Sequence, residues 1–186
     1  MKKIIGFAIA GMLLYGCSNS TPKTGSTEKA AQKMIEITND MENAAGVIPS
    51  WGNEKTVIAM KEPAAHSGQY ACVTNDTIEY SYSYSEKFKN INKGVPKNAY
   101  VSGWIYTTVA KPNLSIILDL SQDNKAYDWK AYPLNNDLTE TGKWIEFKAT
   151  FYFDKPLNPE QQVKIYAWNQ TKKPIYIDDL KISFEY

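Results

Sequence analysis

Residues 144–153 read Trp-Ile-Glu-Phe-Lys-Ala-Thr-Phe-Tyr-Phe, a repeat of period two. Ile145, Phe147, Ala149, Phe151 and Phe153 fall on one side. Trp144, Glu146, Lys148, Thr150 and Tyr152 fall on the other. One apolar side at this period describes a half-buried strand, because a helix brings residues to one face every 3.6 positions. Further strands are predicted over residues 56–60, 69–74, 77–85, 99–109, 114–120, 163–169 and 175–184. Turn-forming segments separate them: KEPAAHSG, NINKGVPKN, AKPN, LNNDLTETGK and DKPLNPEQ. So many short strands with so little helix must stack as two sheets. The expected fold class is all-β, a two-sheet antiparallel β-sandwich. Residues 28–39 are open to two readings: Ala30, Ala31, Met34 and Ile35 share part of a helical face, whereas Ile37-Thr38 equally starts a strand.

The N-terminus carries a different signal. Lys2 and Lys3 precede a short apolar run over residues 4–15, and Leu14-Tyr15-Gly16-Cys17 follows as a lipoprotein cleavage box. The run is too short for a lasting membrane span. The expected organisation is a signal peptide over 1–16, lipid attachment at Cys17 with a polar tether over 17–35, and a folded domain over 36–186. The chain is then exported and lipid-anchored to the outer membrane, facing the periplasm or the surface. Without the leader the formal charge passes from +1 to −1, and every one of the 21 basic residues is lysine. Arginine is the preferred residue for forked contacts to phosphates and base edges. Its absence and the scatter of the lysines argue against nucleic acid as a partner. Acylation of Cys17 leaves Cys72 unpaired, on a strand, where it reads as a small core residue.

Aromatic residues supply the candidate binding groups, with 13 Tyr and 5 Trp in 186 residues. Ile78, Tyr80, Tyr82 and Tyr84 alternate with Glu79, Ser81, Ser83 and Ser85, which reads first as a strand with its tyrosines on the core side and otherwise as a ladder of rings for a ligand. Trp129 and Tyr132 lie in a polar stretch between strands, either as a platform for a ligand or as a cover for the sandwich edge. Trp168 shares a side with Tyr166 and is a candidate for a binding face with Lys164 nearby. Trp51 either rims the same surface or packs under the N-terminal segment. Asp119 interrupts an apolar strand, as a solvated carboxylate or a polar anchor in a groove. Catalytic signatures are missing: neither HExxH nor GxSxG occurs, there is no glycine-rich phosphate loop, and the one histidine, His66, lies in a turn.

Four segments together resemble the galactose-binding-like jelly rolls, above all the extracellular carbohydrate-binding modules of bacteria. They are Met41-Glu42 followed by Trp51, Ala65-His66-Ser67-Gly68-Gln69-Tyr70, Tyr100-Val101-Ser102-Gly103-Trp104-Ile105, and Ile175-Tyr176-Ile177-Asp178-Asp179-Leu180-Lys181-Ile182. The resemblance implies a jelly roll with Trp104 as a core tryptophan. It also implies a structural Ca²⁺ bound by Glu42, Ser67, Gly68 and Asp179, with Asp178 beside it. The function it implies is non-catalytic glycan binding; the leader sets it at the cell envelope, and Trp129, Tyr132, Trp168, Trp51 and Asp119 are the residues expected to carry it. The alternative is a structural or protein-interaction jelly roll in an envelope complex. A fold of this kind serves many purposes, so the site must decide between them.

Overall fold

The computed structural model describes residues 33–43 and 48–186. The leader, Cys17 and most of the tether lie outside the described residues. Eleven strands follow in chain order: β1 (Met34–Asn39), β2 (Trp51–Gly52), β3 (Val57–Ala59), β4 (Tyr70–Thr74), β5 (Ser83–Lys87), β6 (Asn98–Thr107), β7 (Leu114–Gln122), β8 (Lys125–Pro133), β9 (Trp144–Tyr152), β10 (Gln162–Asn169) and β11 (Ile175–Glu185). One helical turn, α1 (Phe88–Ile91), closes on the core through the buried Phe88.

The strands form two antiparallel sheets. One has the order β3-β4-β11-β6-β9, and the other β2-β5-β10-β7-β8. β11 serves two neighbours on one side: residues 175–177 pair with β4, and residues 180–185 pair with β1. A bulge between Asp178 and Lys181 marks the exchange. There Asp179 takes φ 49, a left-handed conformation that aspartate tolerates better than most residues.

Period-two alternation explains the core. On β6, Ala99, Val101 and Ile105 point inward, while Tyr100, Ser102, Trp104 and Tyr106 point out. Leu114, Ile116, Leu118 and Leu120 of β7 meet Phe147, Ala149 and Phe151 of β9, together with Ile177, Ile182 and Phe184 of β11, in one cluster. The alternation expected over 144–153 is therefore the observed one. Cys72 is buried in this cluster, and burial pushes its thiol up to about 11, so it packs rather than reacts.

Several expectations are corrected. Residues 34–39 are strand, not helix, because each pairs with a residue of β11 far along the chain. The pairing begins ahead of residue 36. The polar stretch around Trp129 is strand β8, joined to β7 by the two-residue turn Asp123-Asn124, both with positive φ. The tyrosine ladder is broken. Asn75 accepts the Thr77 and Ile78 N–H groups in a side-chain turn, and regular strand resumes only at Ser83. Tyr82 and Tyr84 enter the core, but Tyr80 stays 48% exposed on the outside. Trp104 is not a core residue either. It faces out from β6, beneath the His66 ring.

Candidate functional site

Two clusters hold most of the candidate residues. The first lies at the β11 bulge. Asp178 is fully buried; its Oδ2 accepts the His66 and Ser67 backbone N–H groups at 3.0 and 3.2 Å, and its Oδ1 accepts the Asp179 N–H at 2.8 Å. Burial raises its carboxyl to about 6. The Asp179 carboxylate is held by His66 Nδ1 at 2.6 Å and by the Ser67 hydroxyl at 2.7 Å. Glu42, just past β1, accepts the Gln69 and Tyr70 N–H groups at 2.8 and 2.9 Å. The His66 ring stacks on Trp104 with centroids 3.9 Å apart, and the Trp144 indole donates to the Ala64 carbonyl at 3.0 Å.

The sequence resemblance thus brings Glu42, Ser67, Gly68 and Asp179 together, but with the Glu42 and Asp179 carboxylates matched to hydrogen-bond partners and Ser67 itself a donor. Calcium needs six to eight oxygens directed at one point. Here N–H, O–H and imidazole groups point at Glu42 Oε1 and at both carboxylate oxygens of Asp178 and Asp179. Among the described residues, no group of three His, Cys, Asp or Glu side chains is placed to hold a metal ion. The residues present do not fit calcium. Gly68 is there for space: at φ +56, a Cβ would stand 2.2 Å from the Glu42 carboxyl carbon.

The second cluster is the outer face of the five-stranded sheet. Antiparallel register sets its rows, since residues directly opposite share a face. One row runs Ser85, Lys164, Asp119, Trp129 across β5, β10, β7 and β8. The next contains Tyr166, Ile117 and Ala131. The third contains Tyr80, Trp168, Ser115 and Pro133, with Tyr80 joined to Trp168 by a single bridge beyond the end of β5. Ile117 points away from the core yet is fully buried, so the rings around it must cover it.

These rings make a floor and a wall. Tyr80 and Trp168 lie nearly parallel, 23° apart with centroids at 6.2 Å. Trp129 stands edge-on to Trp168, at 77° and 6.3 Å. Tyr80 and Trp129 are each about half exposed, so both offer an open ring face. Lys164 Nζ lies 5.4 Å from the Tyr166 ring centre, within cation–π range. A groove of about 280 Å³ beside it is lined by Asn53, Tyr80, Ser81, Ser83, Lys164 and Tyr166. Burial raises the Asp119 carboxyl above the usual range, and Lys164 opposes the shift. Burial also raises the Tyr166 phenol, against a hydrogen bond with Trp129.

Of the candidate ligand residues, Trp129, Trp168 and Asp119 share this face. Tyr132 does not: it stands opposite Ile116, which points inward, and it packs against the core. Three positions separate it from Trp129, an odd number that sends the two rings to opposite faces. Trp51 does not either. It is 7% exposed and stacks on Tyr82 at 5.4 Å inside the sandwich. Asn53 joins the face unannounced, and of the tyrosine ladder only Tyr80 reaches it. Tyr80 is placed by a turn that breaks its alternation with Tyr82, and Asn53 donates to the carbonyls of Tyr80 and Ser81 at 2.9 and 3.2 Å.

Two stacked antiparallel sheets in this order define a jelly-roll β-sandwich, the fold of many carbohydrate-binding modules. The N-terminal CBM22-1–CBM22-2 tandem domain of Paenibacillus barcinonensis Xyn10C matches 83% of this chain and 46% of its own, at 13% identity and a TM-score of 0.50. The CBM22-1 xylan-binding domain of the same protein matches 83% of this chain and 96% of its own, at 13% identity and a TM-score of 0.49. TmCBM61 in complex with β-1,4-galactotriose matches 77% and 97%, at 17% identity and a TM-score of 0.42. No family model and no curated protein matches the sequence. At these identities the likeness is one of fold.

Proposed function

We propose that the chain binds a glycan without cleaving it, on the outer face of the five-stranded sheet. The observation that carries this reading is the pair of half-exposed rings, Tyr80 and Trp129, held on either side of Trp168. An aromatic ring stacks on the apolar C–H face of a pyranose, and its own neighbours fix its orientation before the ligand arrives. Lys164 donates to the sugar hydroxyls and Asp119 accepts from them. Ser83 and Ser85 add uncharged partners along β5. The strands of this face bring one carboxylate, Asp119, among the rings, whereas glycoside hydrolysis ordinarily employs a pair. The face therefore supports recognition rather than cleavage.

Xylan and β-1,4-galactotriose, named with the structural neighbours, are the first ligands to try. In affinity electrophoresis, wild-type protein is retarded by a gel containing the matching soluble polysaccharide, and Trp129→Ala is not. Equal migration of wild-type and variant across a broad polysaccharide panel and a glycan array would overturn the reading. Its location is a second part of the proposal. The leader and Cys17 support a lipid anchor at the envelope, which incorporation of labelled palmitate, lost in Cys17→Ser, would test.

A further inference from the structure

The β11 bulge is where three distant parts of the chain meet. The segment after β1 brings Glu42, the turn before β4 brings residues 64–70, and the closing strand brings Asp178 and Asp179. β11 also exchanges β4 for β1 at this point, so the six-stranded sheet is continuous only if these segments stay in register. Three carboxylates here require compensation. A buried or half-buried carboxylate without it is costly, and a divalent cation is one way to supply it.

This chain supplies it otherwise. Two backbone N–H groups face Glu42, three face Asp178, and Asp179 receives the Ser67 hydroxyl and the His66 ring. The imidazole is itself fixed by its stack on Trp104 and its edge contact with Trp144, centroids 5.9 Å apart. A ring held on two sides cannot turn away to let a cation reach Asp179 at small cost. Gly68 completes the arrangement, since the Glu42 carboxylate fills the space a Cβ would take.

We infer that the sandwich is closed by a metal-free clasp, in which His66 and a set of backbone N–H groups act as the partners of Glu42, Asp178 and Asp179 that a calcium ion would otherwise provide. His66 is then a structural positioning residue, and its neighbour Trp104 is the platform that holds it. The inference concerns stability alone and stands or falls independently of any ligand on the opposite sheet.

The test is thermal unfolding of the full chain stripped with EDTA, then repeated with Ca²⁺ at about 10 mM, roughly ten-fold above the Kd of the weakest extracellular sites. The expected result is an unchanged midpoint, with no saturable heat when CaCl₂ is titrated into the stripped protein by calorimetry. A native-state site at ten times its Kd or more raises the midpoint by about 3 °C or more in a domain of this size. Such a rise, or a saturable heat, overturns the inference. The second arm is His66→Ala, read in EDTA and in Ca²⁺. The expected midpoint falls by several degrees, equally in both, and His66→Asn, which keeps a donor, recovers part of it. A His66→Ala variant that melts with the wild type would show that the imidazole is no part of a clasp. The calcium titration on wild-type protein decides the matter even if both variants fail to fold.

Discussion

Trp129 and Trp168 meet edge to face on the outer side of the five-stranded sheet, 77° apart with ring centroids at 6.3 Å. The contact fixes Trp129 while leaving it 49% exposed. Such a ring has little to contribute to the core and much to contribute to a ligand. Truncation to alanine should therefore cost glycan affinity at least about 10-fold, the size of loss expected of an aromatic anchor. The melting midpoint should move by no more than about 2 °C, since exposed truncations are nearly neutral. Affinity electrophoresis and a thermal melt on the same preparation give both readouts. Lost affinity accompanied by a collapse in stability would reassign the ring to packing.

Trp51 carries the opposite expectation. It is buried between Tyr82 and Tyr84, with centroids at 5.4 and 5.5 Å. Removing a buried Trp ring costs about 3–5 kcal/mol. In a domain of this size that lowers the midpoint by about 10 °C. A melt of Trp51→Ala close to the wild-type value would restore Trp51 as a surface candidate.

What the sequence reveals and what it hides follow from the range of the interactions. Alternation in β9 and β10 is local, and it placed Phe147, Phe151, Tyr166 and Trp168 on their proper faces. β8 was hidden because Asp123 and Asn124 read as loop residues, when their tolerance of positive φ is what makes a tight hairpin. Once β8 is recognised as a strand, the spacing alone separates Trp129 from Tyr132. β1 was ambiguous because nothing within residues 28–39 selects strand over helix; β11, far along the chain, does. The clasp was half legible. The four motifs located its residues, but whether a carboxylate faces a cation or an N–H depends on loop geometry that no spacing encodes.

Gly68 tests that geometry directly. Its φ of +56 and the 2.2 Å approach of Glu42 give Gly68→Ala two separate penalties. Strain of the backbone alone is worth about 1–2 kcal/mol, and the clash adds to it. A double-mutant cycle with Glu42→Ala separates the two, because the clash vanishes when the carboxylate is removed whereas the strain does not. The expected coupling is about 1 kcal/mol or more, read from denaturant midpoints; strictly additive effects would mean that the two residues do not touch.

Asp128 sets an acid limit on stability. Its carboxyl is held below the usual range first by a hydrogen bond from Lys155 at 2.8 Å, and then by the charge of Lys130, 3.6 Å away. A depressed native value means stability that is fully present above the unfolded value, near about 3.9, and lost as pH falls through the native one. Lys155 is half exposed, so solvent screening limits the contribution to about 1 kcal/mol. Asp128→Asn should melt slightly below wild type at pH 7, with the two curves converging as pH falls below about 4. A difference that persists unchanged at the lowest pH would assign the effect to something other than the ion pairs.

Asp119 has the reverse sign and joins stability to function. Burial raises its native value, with Lys164 only partly offsetting it. The charged form is thus less comfortable folded than unfolded. Stability should fall as pH rises from the unfolded value through the raised native one, and level off above it. Asp119→Asn removes that slope, so the variant should be at least as stable as wild type at pH 7 in thermal melts across pH 3–8. Its glycan affinity should nevertheless drop about 10-fold or more, because a charged acceptor is replaced by a neutral amide. A residue that lowers stability where it stands but raises affinity is one retained for its ligand. If Asp119→Asn leaves affinity unchanged, the acceptor lies elsewhere on the face, and Trp129 and Tyr80 remain as its binding groups.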